Sequence, residues 1–392
     1  MKNVVIVSGV RTAIGSYGKS LKAVAPSDLA ALVIKESISR AGIDGGELDQ
    51  VIMGNVIQSI GDASNPARTA ALKAGVPVEV PAYTLNRLCG SGLQAINSAY
   101  EAIVSGAADA VLAAGMESMS NAPYLLEQAR WGYRMGDAKS RDGVIAALTD
   151  SNYLVHMGVT AENLAEKYDI SREEQDEFAL LSQQRAVAAI ESGEFTEQIV
   201  PVEIPARKGE TIRFDTDEHP RKEASLEGLA KLKTVFKKDG TVTAGNASGI
   251  NDAAAAMILM TEERAKELGL KPLASIKGYA TAGVDPLYMG FGPVPATQKV
   301  LARTGLTLKD IDLIELNEAF AAQYLACEKA LKLDRDKVNI QGGAIAMGHP
   351  LGATGVILLI KLIYQMIEKE SKYGLATACI GGGQGIATLI ER

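Results

Sequence analysis

A chain of 392 residues is too long for one ordinary hydrophobic core, so two or three domains are the natural expectation. Hydrophobic residues make up 47% and charged residues 22%, which fits a globular enzyme, and a net charge of -7 argues against nucleic acid as the main partner. No apolar run approaches the roughly 20 residues that span a bilayer, so no membrane segment is expected.

The N-terminus, MKNVVIVSGVRT, reads as a first strand, its apolar stretch being too short for a signal peptide. The C-terminal LIER is no peroxisomal tripeptide, and the cytoplasm is the simplest location. AGIDGGELDQVIMGN (Ala41–Asn55) then matches TGLTLKDIDLIELNE (Thr304–Glu318) at an offset of 263, with Gly42 on Gly305 and Asp49 on Asp312. The same offset lays GSGLQAINSAYEAI (Gly90–Ile103) on the stretch from Ala353, with Gly92 on Gly355. ADAVLAAG (Ala108–Gly115) meets YGLATACI (Tyr373–Ile380) with a slip of about one residue. Each half therefore reads strand, helix, strand, glycine turn, long helix, strand. Such alternation implies an α/β fold with a mostly parallel sheet under helices, and the duplication implies two pseudo-symmetric halves packed as layers.

Residues 121–245 have no counterpart in the repeat and read as an inserted domain. The flanking halves are then 1–120, completed by 246–270, and 271–392. Inside the insertion, TAENLAEKYDIS suggests a helix with Thr160 as N-cap, and Ser171 with Glu174 forms a capping box for the next. RKEASLEGLAKLKTVFKK (Arg221–Lys238) carries six basic and two acidic residues, as a solvated helical face or a phosphate contact would. VTAGNASGINDAAAAMILM reads as a small-residue turn followed by a buried helix.

Three cysteines give no disulfide framework. Cys327 falls in a helical pattern and reads as an inert core thiol, whereas Cys89 and Cys379 stand beside glycines at the ends of apolar segments. Among three histidines, His219 sits between charges and reads as a surface residue. His349, in AMGHPLGATG, is pinned by Pro350 between glycines, a better place for a catalytic ring. Cys89 precedes one helix start and His349 the other, so halves packed face to face can bring both to one site. A free thiol near pKa 8.5 is only a few per cent thiolate at neutral pH, so a nucleophilic Cys89 needs help from those helix amides or an imidazole. No metal-ligand spacing, P-loop or dinucleotide fingerprint is present.

LNRLCGSGLQAI, GMESMSNAPY, HMGVTAEN, TAGNASGINDAAAA, NEAFAAQ, GGAIAMGHPLGATG and CIGGGQG follow one another along the whole chain. In that order they resemble the thiolase family, and within it the short-chain acetyl-CoA acetyltransferases. The resemblance implies a duplicated thiolase fold with a layered α-β-α-β-α core and an inserted loop domain. It implies Cys89 as the nucleophile that accepts acetyl from a first acetyl-CoA, and His349 as the group that takes its proton. Cys379 would remove the Cα proton of a second acetyl-CoA, giving acetoacetyl-CoA and CoA in a ping-pong reaction. His349 with a water held by Asn317 would form one oxyanion hole, and the amides of Cys89 and Gly381 the other. Coenzyme A is then substrate and product, with neither cofactor nor metal. The family also implies Ala244 and Ser248 along pantetheine, Leu148, His156 and Met157 at the acyl end, and Arg221 near the nucleotide. Met157, Phe236, Met289 and Phe320 would line a short acyl pocket, and Ala319 is a further substrate-binding residue. HMG at His156–Gly158 resembles the biosynthetic, acetoacetyl-specific branch, the alternative being a broader 3-ketoacyl-CoA thiolase of degradation. Decarboxylating condensing enzymes of the same fold lack a second cysteine, so Cys379 speaks against them. The implied assembly is a homotetramer, a dimer of dimers.

Overall fold

A computed structural model of the chain describes residues 2–59, 64–206 and 210–392. The first half opens with β1 (Val4–Thr12), buried along its whole length. Helix α1 (Pro26–Ala41) starts with Pro26, at a position where no intrahelical N–H is needed, and stops at Gly42, whose φ of 69° is left-handed. Then come β2 (Gln50–Gly54), α2 (Pro66–Lys73), β3 (Ala82–Leu85), α3 (Ser91–Val104) and β4 (Ala110–Ser118). The chain leaves for a long excursion that holds α4 (Met157–Lys167) and α5 (Arg172–Glu191), and returns as β5 (Asn251–Thr261). The second half is β6 (Ala274–Gly283), α6 (Pro293–Thr304), β7 (Leu313–Leu316), α7 (Ala321–Leu331), α8 (Leu351–Glu368), β8 (Tyr373–Ile380) and β9 (Gln384–Glu391).

These strands run in the order β7-β8-β9-β6-β1-β5-β4-β2-β3. The two half-sheets meet where Val5 faces Ser275 and Ile6 faces Ala274. Helices α1 and α2 cover the outer face of the first half-sheet, where Val5, Val51 and Met53 pack with Leu29, Val33 and Ala67. The outer face of the second lies under α6 and α7, with Val300 and Tyr324 beside Leu316, Leu375 and Leu389. Helices α3 and α8 fill the middle, where Leu93, Ile96, Val356 and Ile360 meet Ile6, Ile52, Met257 and Ala376. The layers are α-β-α-β-α, as the resemblance implies.

The 263-residue offset survives in the hydrogen bonds. Gln50 faces Val111 as Leu313 faces Gly374. Asp49 Oδ2 accepts the N–H groups of Asp109 (2.7 Å) and Ala110 (2.9 Å), and Asp312 Oδ2 accepts those of Lys372 (2.8 Å) and Tyr373 (2.9 Å). The slip expected between Ala108–Gly115 and Tyr373–Ile380 is therefore not there: Ala110 answers to Tyr373. Gly92 and Gly355, also paired by the repeat, touch each other. A Cβ on Gly92 would stand 2.7 Å from the Val356 nitrogen, and one on Gly355 would strike the Leu93 nitrogen. The pseudo-two-fold axis thus passes between α3 and α8.

Three expectations need correction. The sheet is mixed: among these strands only β2/β3, β2/β4 and β7/β8 pair in parallel. The reason is local, since β8 turns directly into β9 through Gly382 and Gly383 at φ of 77° and 82°, and so tight a turn serves only antiparallel neighbours. Asn251–Thr261 is a strand, not a helix. It lies between β1 and β4, sending Ala253, Ala255 and Met257 into the central core and Ala254, Ala256 and Ile258 into the outer one. A strand buried on both faces has no polar alternation to betray it. Thr160 sits inside α4, whose N-cap is His156, with Nδ1 accepting the Gly158 N–H at 3.0 Å. The Ser171–Glu174 capping box is present as read. Helix α8 is long and apolar enough to cross a bilayer by composition, but 83% of it is buried between the half-sheets.

Candidate active site

Between β3 and α3 the chain makes a tight turn that presents Cys89. Leu88 adopts φ 45°, a left-handed conformation costing a leucine about 1 kcal/mol or more. Three hydrogen bonds hold it there. Leu88 N–H donates to Asn86 Oδ1 (2.8 Å), Arg87 N–H to Ser91 Oγ (2.8 Å), and the Ser91 hydroxyl to the Leu88 carbonyl (2.7 Å).

His349 stands one residue before the Pro350 N-cap of α8. Its N–H donates to Asn251 Oδ1 at 3.0 Å. The Thr354 hydroxyl donates to the Pro350 carbonyl (2.9 Å), so at 2.7 Å it must accept from His349 Nδ1–H. That assignment makes Nε2 an acceptor, and Asn317 Nδ2 stands 3.3 Å from it. Asn317 Oδ1 is buried with no partner among the described residues, a donor-seeking oxygen beside the imidazole. Burial lowers the His349 pKa to about 4, so the ring is neutral at neutral pH.

The thiols are neutral too. Burial pushes Cys89 up to about 11, with a smaller push from Glu117, while the N–H groups of Gly381 and of Cys89 itself pull it down. The amides that favour the thiolate thus belong to Gly381 and Cys89 and not to the helix expected to activate this sulfur, and desolvation outweighs them. Cys379 is fully buried and raised well above its ordinary value, by desolvation first and then by the neighbouring Cys89 and Cys327. Cys327 is the inert core thiol it was expected to be, raised to about 12 and donating to the Gly290 carbonyl at 3.3 Å.

A cavity of about 390 Å³ opens onto these groups. Cys89 and His349 line it together with Leu148, His156, Met157, Arg221, Phe236, Ala244, Ser248, Met289, Ala319 and Phe320. Asn317 lies behind its wall through His349, and Gly381 reaches it through the amide facing the Cys89 sulfur. Cys379 sits in the same buried cluster as Met157, Met289 and Phe320. His156 fills two roles, capping α4 and stacking on Phe236 with ring centroids 4.7 Å apart, and burial lowers its pKa.

His219 is no surface residue. It lines the cavity beside Arg221, and burial, then Arg221 and Lys19, lower it to about 4. Its charged sequence neighbours hid this, because Asp217 and Glu218 turn inward to residues 11–20. Within Arg221–Lys238 only Leu226–Ala230 is helical, so no long solvated face exists there. The sequence reading also missed Met119, Ile145, Val235, Ile250 and Leu351, apolar wall residues that carry no signal apart from position. Glu117 was missed as well: a wholly buried carboxylate beneath Cys89, raised to about 7 by burial although the N–H groups of Val56 (3.1 Å), Ile57 (3.0 Å) and Gly352 (2.9 Å) donate to it. An acid at the end of the apolar run AVLAAGME was the available hint.

A duplicated layered fold with a thiol, an imidazole and a carboxamide converging on one cavity is the framework of an acyl-transferring enzyme. Residues 4–263 match the thiolase N-terminal domain and residues 270–392 the thiolase C-terminal domain. The chain is 53% identical over 393 residues to an acetyl-CoA acetyltransferase of Pseudomonas aeruginosa, covering all of both. It superposes on the crystal structure of the Bacillus anthracis acetyl-CoA acetyltransferase with a TM-score of 0.98 and 51% identity, over 100% of this chain and 99% of that one. Human mitochondrial 3-ketoacyl-CoA thiolase in complex with CoA follows at 0.96 and 48%, over 100% and 98%. The chain belongs to the thiolase family and is an acyltransferase.

Proposed function

We propose that this thiolase interconverts two acetyl-CoA with acetoacetyl-CoA and CoA through an acetyl-Cys89 intermediate. The observation that carries this reading is the pairing, in one cavity, of the Cys89 sulfur with the Gly381 amide and of His349 Nε2 with Asn317. In the first half-reaction the Cys89 proton passes to His349 Nε2 and the sulfur attacks the thioester carbonyl. CoA leaves as a thiol, taking a proton from Cys379. Now a thiolate, Cys379 removes the Cα proton of a second acetyl-CoA. The carbanion attacks the acetyl carbonyl on Cys89, whose sulfur leaves and recovers its proton from His349. Charge on the two carbonyl oxygens is met by the amides of Cys89 and Gly381 in one case, and by His349 with an Asn317-held water in the other. One such donor is worth roughly 2.7–4 kcal/mol.

Neutral resting thiols fit this scheme. Each proton moves only when substrate has excluded water and an acceptor is in place, which limits side reactions of a standing thiolate.

The short-chain preference is supported by the bulk of Leu148, Met157, Met289 and Phe320 in the cavity wall. The likeness to a 3-ketoacyl-CoA thiolase keeps a broader, degradative specificity as the second reading. A homotetramer is supported by the apolar arm after β4, where Trp131 is 86% and Met135 99% exposed. Thiolysis of acetoacetyl-CoA by CoA, run beside 3-ketohexanoyl-CoA, tests the function. Activity on the four-carbon substrate alone, lost by at least about 10³-fold in Cys89→Ala, is expected. Equal turnover of both substrates selects the broader reading, and an active Cys89→Ala removes the mechanism.

A further inference from the structure

The segment 217–221 reaches the cavity from the inserted region, yet its anchor lies in the first strand. Arg11 is wholly buried in β1 and holds Asp217 in a two-pronged ion pair, Nη1 to Oδ1 at 2.7 Å and Nη2 to Oδ2 at 2.9 Å, with both side chains inaccessible. The guanidinium has no freedom to swing, because Nε donates to Gln198 Oε1 (2.8 Å) and Cζ lies 5.1 Å from the centroid of the Phe195 ring. Asp217 also accepts the Ile14 N–H at 2.8 Å. The next residue repeats the attachment: Glu218 accepts the Ser16 N–H (2.8 Å) and the Ser20 hydroxyl (2.7 Å), and its own N–H donates to the Ile14 carbonyl (2.9 Å). Only after these anchors do His219 and Arg221 reach the cavity wall. Both also line a second depression of about 240 Å³, together with Ser225 and Leu229, so they stand at the throat between the two spaces.

Two wholly buried charges are costly to hold, and neither of these lines the cavity that holds Cys89, so the pair takes no direct part in the chemistry. We infer that Arg11 and Asp217 are positioning residues that fix His219 and Arg221 at this throat and so set affinity for the nucleotide half of coenzyme A, without contributing to bond making at Cys89. The inference rests on the proposed CoA orientation, with the thioester at Cys89 and the nucleotide beyond Arg221. Its chemistry is plain: a guanidinium on a fixed strap meets phosphate at little ordering cost, whereas one on a loose loop must be ordered at each binding event.

The test compares two acceptor thiols in thiolysis of acetoacetyl-CoA: CoA, and pantetheine, which lacks the nucleotide. In Asp217→Asn the KM for CoA should rise about tenfold with kcat within about twofold, and the KM for pantetheine should stay at the wild-type value. Arg11→Lys keeps the charge but loses the fork, and should show the same split at smaller size. Glu218→Gln, which disturbs a less buried anchor, gives the same readout should Asp217→Asn fail to fold; about a threefold rise in the CoA KM alone is expected. Equal rises for CoA and pantetheine, or a fall in kcat with unchanged KM, would overturn the inference. A wild-type enzyme that does not distinguish CoA from pantetheine would remove the CoA orientation, and the inference with it.

Discussion

The Cys89 turn and the His349 turn precede equivalent helices of the two halves, yet each is held by different means. At the 263-residue offset His349 corresponds to Asn86, whose side chain is used to fasten the backbone of Leu88. The Cys89 turn is therefore a strained backbone clamped by its own side chains. The His349 turn is a ring fixed on both nitrogens, through Thr354 on one side and Asn317 on the other. The other reactive groups are as unequal: Cys89 corresponds to Gly352, Cys379 to Met116 and Asn317 to Gly54. Strand register, helix caps and the Asp49 and Asp312 hydrogen bonds are duplicated, whereas each reactive group stands in one half alone. Duplication supplied the frame, and divergence at four positions supplied the chemistry.

This contrast can be broken from either end. His349→Ala should act on the reactive set alone, lowering kcat in thiolysis by about 10³-fold through loss of a base and a donor. Its thermal midpoint should fall by only a few degrees, the cost of the cavity that a buried ring leaves, and a collapse of folding would mean that the ring is also structural. Damage to the shared frame should instead be even-handed. Gly92→Ala and Gly355→Ala push on one contact from opposite sides, so each should destabilise the fold by about 1–3 kcal/mol, and by similar amounts. Denaturant midpoints that differ widely would show that the axis is not symmetric in energy. The last expectation leaves the fold untouched and concerns the resting state of Cys89. A raised pKa means less thiolate at a given pH, and a neutral His349 offers no cation to offset it. Inactivation by iodoacetamide should then climb about tenfold per pH unit from roughly pH 7 to pH 10, whereas a plateau near pH 8.5 would restore an ordinary thiol.

What the sequence disclosed follows the same division. The frame was legible because its residues answer local rules that recur twice: Gly42 and Gly305 as left-handed caps, Asp49 and Asp312 before a strand, Gly92 and Gly355 at a close approach. Cys89 and His349 stood out by their glycine-rich settings, and the pocket residues came with the family resemblance. Three things stayed hidden. Asn251–Thr261 looked helical because alanine favours helices, and burial on both faces erased the strand's alternation. His219 looked solvated because sequence cannot say that the acids beside it are engaged with β1 and the turn after it. Thr160 looked like a cap because threonine commonly is one, while the capping atom belongs to an imidazole four positions earlier.

The contact of Gly92 with Gly355 has a consequence for how such a site could arise at all. Two identical chains meeting about that axis would carry the same residue at both members of every related pair. A cysteine at position 89 would then face a second cysteine in place of Gly352, and the histidine would displace Asn86 from the turn it fastens. Joining the halves in one polypeptide releases each position from its twin. One axis can then serve a single lopsided reaction chamber instead of two incomplete ones.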